Sequence, residues 1–236
     1  MSRGTLYLIP TNLSDPFAPA AILPTDVIGT ALRLDHYVAE NAKSARAFLK
    51  LLGISRPLQE VSIAELNERT PANELETLLA PLRAGHDVGL VSEAGAPGVA
   101  DPGADLVALA HRSNIAVMPL VGPSSILLGL MASGLNGQRF AFHGYLPQEK
   151  TLRFKVIQEL ERESRQRRMT QIFIETPYRN QPLLNDLITT LSRETRLCVA
   201  CDLTGTGQTI RMQKVSEWQK QTPALQKVPA LFMFLA

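Results

Sequence analysis

The run Asp87–Ser92 passes directly into eleven residues, Glu93–Gly103, that hold three glycines and two prolines. Glycine opens backbone conformations closed to other residues, and proline fixes its own φ and lacks an N–H. Neither a strand nor a helix continues through such a stretch. An apolar strand therefore ends at Ser92, and the helical pattern Ala104–Arg112 begins beyond the loop. Another apolar run, Ile115–Leu120, follows. Strand, long loop, helix, strand is the pattern of a parallel sheet with helices on its faces.

The same alternation starts earlier. Leu6–Pro10 is a short apolar run ended by proline and leads into a turn-rich loop, Pro10–Pro16. Asp35–Glu40 reads as a strand, and Lys43–Leu52 as a helix stopped by Gly53. Asn73 is placed to cap a helix running to Arg83, with Gly85 after it. The pattern restarts at Val121-Gly-Pro-Ser-Ser, where Ser124 or Ser125 can cap a helix over Ile126–Ser133. Strands are predicted at Phe140–Tyr145, Gln171–Glu175, Leu197–Asp202, Thr209–Met212 and Ala230–Leu235, with helices at Leu152–Arg168 and Pro182–Leu191. The reading is an α/β protein of two α/β domains, residues 1–120 and 121–236. A chain of 236 residues accommodates that division.

Composition excludes several classes. With 45% hydrophobic and 19% charged residues the chain reads as a soluble globular protein. The longest apolar run, Ile126–Met131, is far too short to span a bilayer. The start, Met1-Ser2-Arg3-Gly4, lacks the pattern of a secretory signal, so a cytoplasmic location is expected. A net charge of +2 is not the global footprint of a nucleic-acid binder. Cys198 and Cys201 lie three apart on a predicted strand, pointing to opposite faces, and read as packing residues. The four histidines show no metal-ligand spacing, and no metal site is expected.

Ligands of open α/β sheets bind beyond the carboxyl ends of the strands. Four unusual loops lie at such ends: Pro10–Pro16, Glu93–Gly103, Val121–Ser125 and Asp202-Leu-Thr-Gly-Thr-Gly. The second is neither a Walker loop nor a GxGxxG fingerprint. A rigid, nearly uncharged glycine and proline loop suits a small molecule with an adenosine or thioether part.

The string Val91-Ser-Glu-Ala-Gly-Ala-Pro-Gly-Val-Ala-Asp-Pro-Gly resembles the Val-Ser-Asp-Ala-Gly-Thr-Pro…Asp-Pro-Gly signature of the ribosomal RNA ribose 2'-O-methyltransferases, within the tetrapyrrole methylase superfamily. Gly4-Thr-Leu-Tyr-Leu-Ile-Pro-Thr-Asn-Leu-Ser-Asp, Pro119-Leu-Val-Gly-Pro-Ser-Ser, Gly144-Tyr-Leu-Pro, Phe173-Ile-Glu-Thr-Pro-Tyr-Arg and Asp202-Leu-Thr-Gly are similar to further motifs of that family, in the same order. The resemblance implies two α/β domains of the tetrapyrrole methylase type, S-adenosylmethionine held in the cleft between them, and a homodimer. It places Pro10, Glu93, Gly95, Ala96, Val99, Ser124, Ser125, Leu203 and Ala230 at the cofactor. Two departures stand out. The family's Ala-Glu-Asp-Thr-Arg-x-Thr is replaced by Ala39-Glu-Asn-Ala-Lys-Ser-Ala, and a glycine is missing from the first loop. Both lie where the substrate should be read.

Methyl transfer is an in-line displacement, so positioning supplies much of the rate. A hydroxyl acceptor also needs a base. Glu40, Asp101, Glu175 and Asp202 are candidates; each would equally serve to cap a helix or pair with an arginine. Tyr145 and Tyr178 can stack on a base or simply pack. The basic end of Lys150–Arg168, Arg165-Gln-Arg-Arg, suits phosphate contact or the C-terminus of a solvated helix. Three readings follow: a methyltransferase of ribosomal RNA, a small-molecule (tetrapyrrole-like) methyltransferase, and a cofactor-binding paralogue without robust catalysis.

Overall fold

The computed structural model describes residues 3–15 and 18–236. Met1 and Ser2 of the N-terminal segment, and Pro16 at the end of the first loop, lie outside them. The chain divides into two compact units that meet in sequence at Ser124 and Ser125.

The first unit contains strands β1 (Thr5–Ile9), β2 (His36–Ala39), β3 (Ser62–Glu65), β4 (Val88–Val91) and β5 (Ala116–Pro119). Its helices are α1 (Pro19–Ile22), α2 (Thr25–Arg33), α3 (Ala42–Leu51), α4 (Ala72–Leu78), α5 (Ala80–Arg83) and α6 (Gly103–Arg112). The five strands form one sheet in the order β3-β2-β4-β1-β5, and every pairing is parallel. Side chains alternate between faces with period two, and the two faces carry separate cores. Ile9, Tyr37, Ala39 and Val91 pack with Val27, Ala31 and Phe48 of α2 and α3. Leu6, Val38, Val88 and Leu90 pack with Leu78, Leu82 and Leu106 of α4 to α6. Burial on both faces explains why these strands read as nearly continuous apolar runs.

Local signals account for several boundaries. The Asn41 side chain accepts the N–H groups of Lys43 at 2.8 Å and Ser44 at 3.2 Å and so starts α3. Gly53, at φ +88°, follows its end. The single helix expected from Asn73 to Arg83 is instead two. Pro71, not Asn73, precedes the first turn, and the break falls at Leu79. Pro81 lacks the N–H that would continue the ladder.

The second unit contains α7 (Ser125–Ser133), β6 (Phe140–Tyr145), α8 (Lys150–Arg167), β7 (Thr170–Glu175), α9 (Asn180–Thr190), β8 (Arg196–Cys201), β9 (Thr209–Lys214), α10 (Val215–Trp218) and β10 (Ala230–Leu235). Its sheet order is β6-β7-β10-β8-β9. Only β6 and β7 pair in parallel; β10 runs antiparallel to both β7 and β8, and β9 antiparallel to β8. This mixed sheet departs from the parallel alternation of the first half. One face packs Phe173, Phe232, Phe234 and Val199 against α8, α9 and α10. On the other, α7 lies close to β10: a side chain at Gly129 would overlap Leu231.

Cys201 joins the first of these cores, and Cys198, three residues away, does not. Both are free and buried. Burial pushes both thiols up, that of Cys198 to about 12, so neither is poised as a thiolate at neutral pH. No helix of the described residues is long and apolar enough to cross a membrane.

Candidate active site

The strand order creates a crevice in the first unit. The chain leaves β1 for β2 on one side and leaves β4 for β5 on the other, while β1 and β4 are neighbours. Loops that depart in opposite directions from adjacent parallel strands open a gap at their carboxyl ends.

The two loops are stitched together there. The Thr11 N–H donates to the Gly95 carbonyl at 2.9 Å, and the Thr11 hydroxyl to the Ser92 carbonyl at 3.2 Å. The Ser92 hydroxyl reaches the carbonyls of Ala94 and Gly95, both at 3.3 Å. Gly95 (φ +72°), Gly98 (φ +78°) and Ala100 (φ +59°) all sit in the left-handed region. A non-glycine residue held there costs energy and recurs at ligand clamps. Asp101 fixes the loop: one carboxylate oxygen accepts both the Gly98 N–H at 2.8 Å and the Gly103 N–H at 2.7 Å. Pro10, Gly95 and Glu93 thus converge, with Ala96 half-buried beside them and Val99 exposed.

Acids gather on the same edge. The register Ala39↔Val91 sets Glu40 beside the start of the glycine loop. Burial holds the Glu40 carboxyl above its ordinary value, and the charges of Asp101, Glu93 and Glu68 add to the rise; the Glu93 N–H opposes it. Burial also raises Asp101, against its two hydrogen bonds. A pocket of about 260 Å³ opens alongside, between Thr11, Asn12 and Asp15, the ends of β2 and β4, and α3.

The second unit has its own strained loop. Asp202 (φ +52°) and Thr204 (φ +70°) follow β8. The Asp202 carboxylate accepts the Gly207 N–H at 2.8 Å and fills the space a side chain at Gly205 would need. The Thr204 hydroxyl oxygen is buried without a hydrogen-bond partner among the described residues. Ala230 pairs with both Glu175 and Cys201, which sets Glu175, Leu203 and Ala230 at one end of the sheet. Glu175 is fully engaged: Arg179 pairs with it at 2.5 Å and the Thr176 N–H donates at 2.6 Å.

Ser124 closes the first unit and Ser125 opens α7; both are half-buried. Tyr145 and Tyr178 are exposed, with the Lys227 ammonium 5.4 Å from the Tyr178 ring centre. Arg165 and Arg167 are exposed and lie within 4 Å of Glu161 and Glu163 one turn back; Glu163 is on the solvated side, whereas Glu161 is buried and accepts from the Ser192 N–H and hydroxyl. The sequence reading did not single out the pocket residues Thr11, Asn12, Asp15 and Ser44, nor the tie made by Ser92. The turn-rich character of Thr11–Asp15 was the available signal for the first three.

The chain is 36% identical over 204 residues to a protein of Synechocystis sp. named ribosomal RNA small subunit methyltransferase I, covering 85% of this chain and 67% of that one. A protein of the same name from Escherichia coli O157:H7 is 33% identical over 223 residues, covering 93% and 73%. Among solved structures, a uroporphyrin-III C-methyltransferase from Thermus thermophilus superposes with a TM-score of 0.55 at 19% identity, over 99% of this chain and 92% of that one. That likeness shows a shared fold. No family model matches the chain.

Proposed function

The chain belongs to the family of the ribosomal RNA small subunit methyltransferase I proteins and is a methyltransferase; on that premise we propose that it transfers a methyl group from S-adenosylmethionine to a ribose hydroxyl of small-subunit ribosomal RNA. The observation that carries the reading is the stitched loop pair at the β1–β4 crevice. Glycine backbone at positions 95, 98 and 103 lets a ligand come close to the main chain without intervening side chains, which suits a zwitterionic amino acid joined to a nucleoside. Pro10, Glu93, Gly95, Ala96 and Val99 are the proposed donor contacts of this loop pair, with Ser124. Ser125, Leu203 and Ala230 are the proposed contacts of the second unit, where the unpartnered Thr204 hydroxyl supports a polar ligand group. When bound, the cofactor supplies an electrophilic methyl group on a sulfonium.

Glu40 is the proposed base. A carboxylate whose pKa is raised by burial and like charges is a stronger base than an ordinary one and accepts a hydroxyl proton more readily. Asp101 and Glu175 already hold backbone N–H groups or an arginine, and their proposed part is to fix the loops around the site. A homodimer in the cytoplasm is the proposed assembly.

The test has two steps. A melting shift with S-adenosylmethionine and S-adenosylhomocysteine comes first; saturation at one hundred times the dissociation constant stabilises by about 2.7 kcal/mol. Methyl transfer to small-subunit RNA from cells lacking the protein comes second. A shift without transfer to that RNA supports the paralogue reading. No shift with either compound sinks the donor assignment.

A further inference from the structure

We infer that the basic end of the second unit is a contact surface for the phosphate backbone of RNA, at the opposite end of its sheet from Glu175, Leu203 and Ala230. The partner's identity rests on the proposed RNA reading; the surface adds where that RNA is gripped.

Charge is divided unequally along the chain. Residues 1–124 hold 9 lysines and arginines against 13 acids, and residues 125–236 hold 15 against 9. The net charge of +2 thus conceals a first unit of −4 and a second of +6. Eight of the second unit's cations, all exposed, lie where β6, β7 and β8 begin and β9 and β10 finish. Arg139 precedes β6, and its carbonyl accepts the Thr170 N–H at 2.9 Å where β7 starts. Arg162, Arg165, Arg167 and Arg168 end α8. The Arg165 guanidinium donates to the Ser192 hydroxyl at 3.3 Å, which sets that helix end beside the turn carrying Arg193. Arg196 opens β8 and pairs with Lys214 of β9. The strands are six residues long, so this end stands about 17 Å from Glu175, Leu203 and Ala230.

Part of this charge is engaged locally. Arg165, Arg167 and Lys214 pair with Glu161, Glu163 and Glu194, and the Arg139 guanidinium donates to the Arg167 carbonyl. Cations at the end of α8 also suit its dipole. Arg162, Arg168, Arg193 and Arg196 form no salt bridge among the described residues.

Two of these four are held at a cost. Gly53, Gly85 and Gly134 take the left-handed conformation just past other helices; past α8 that place belongs to Arg168, at φ +50°. An arginine is strained there and a glycine is not. Arg196 stands directly opposite Lys214 on the neighbouring strand, and like charges so placed repel. Glu194 forms its salt bridge with Lys214 and not with Arg196. A fold that needed only a solvated end would gain by losing both arginines. An anionic partner reverses that balance. Seven of the eight cations are arginines, whose planar fork meets a phosphate through two hydrogen bonds. Contacts of this kind position RNA without reading its sequence.

The experiment uses the full chain and a fluorescein-labelled transcript of small-subunit RNA, with anisotropy followed from about 50 to 200 mM salt. The triple variant Arg162→Gln, Arg168→Gly, Arg196→Gln should bind roughly tenfold or more weakly, with the slope of log affinity against log salt shallower by about 2–3. Its KM for RNA should rise while kcat and the melting shift with S-adenosylhomocysteine stay. Arg168→Gly and Arg196→Gln alone should each melt at or above wild type, since one relieves backbone strain and the other a repulsion, and yet each should bind RNA more weakly. A residue kept for the fold would lose on both counts, so weaker binding with a lower melting temperature in both overturns the surface. An unchanged slope in the triple variant, or no RNA binding by the wild type, overturns it as well. Methyl transfer by the triple variant at the wild-type KM removes the surface and leaves the RNA reading standing. RNA held through these arginines without transfer supports the surface and is a failure of the ribose-transfer reading alone.

Discussion

Pro10 occupies the space that a side chain at Gly122 would require: a Cβ built there overlaps the proline ring. The loop after β1 and the loop after β5 therefore touch through a glycine that the fold cannot replace freely. Overpacking of this kind costs about 1–3 kcal/mol. Gly122→Ala should lower the melting temperature and, by displacing Pro10, weaken S-adenosylhomocysteine binding measured by calorimetry. Full affinity with a normal melting temperature would remove Pro10 from the donor contacts.

Glu40 ties stability and activity to pH in opposite directions. Its folded pKa lies above the ordinary 4.5. The folded state thus takes up a proton more readily than the unfolded state. Its contribution to stability is fully present below that ordinary value and is lost as pH rises through the folded pKa. Glu40→Gln, which cannot ionise, should melt higher than wild type at neutral pH, with the difference closing as pH falls below about 4.5. Transfer to RNA should fall by about 10²–10⁴-fold if Glu40 is the base. A variant more stable at neutral pH yet fully active would leave Glu40 as a strained but idle carboxylate.

Asp101 separates charge from geometry. Both of its loop hydrogen bonds enter one oxygen, so Asp101→Asn can keep them and Asp101→Ala cannot. Each such side-chain hydrogen bond contributes about 1 kcal/mol. The alanine variant should melt lower and bind the donor more weakly, and the asparagine variant should stay near wild type in both. Equal loss of transfer in the two variants, with donor binding intact, would instead make the carboxylate itself catalytic.

Much of this frame was legible because its signals are local. The run Ala230–Leu235 reads as a buried strand, and β10 is indeed the centre of its sheet, covered on both faces. Ser62–Glu65 was not recognised because β3 is an edge strand with one neighbour and no buried residue. Helix α2 was overlooked although Pro24, Asp26 and the spacing of Val27 and Ala31 mark it; Gly29 in its middle weakens the pattern. The acidic edge is of another kind. Glu40 and Glu93 meet because β2 pairs with β4 in one register, a long-range fact that no window of sequence carries. The pocket is likewise built from three separate segments, and only its turn-rich loop left a trace.

Helix α7 bears on the proposed homodimer. It is apolar nearly all round, and Gly129 lets one side press onto β10. Leu127 and Met131, one turn apart on the other side, are 55% and 80% exposed. An exposed apolar face on a helix already packed to its sheet marks an interaction surface, and a second copy of the chain is the simplest symmetric occupant. Met131→Asp touches little within its own chain, so its melting temperature should change slightly, within about 0.5 kcal/mol of stability. In the dimer it would bring a carboxylate into an apolar contact, and sedimentation should then report a monomer where the wild type reports a dimer. A variant that remains dimeric moves the interface away from α7, and a monomeric wild type removes the dimer altogether.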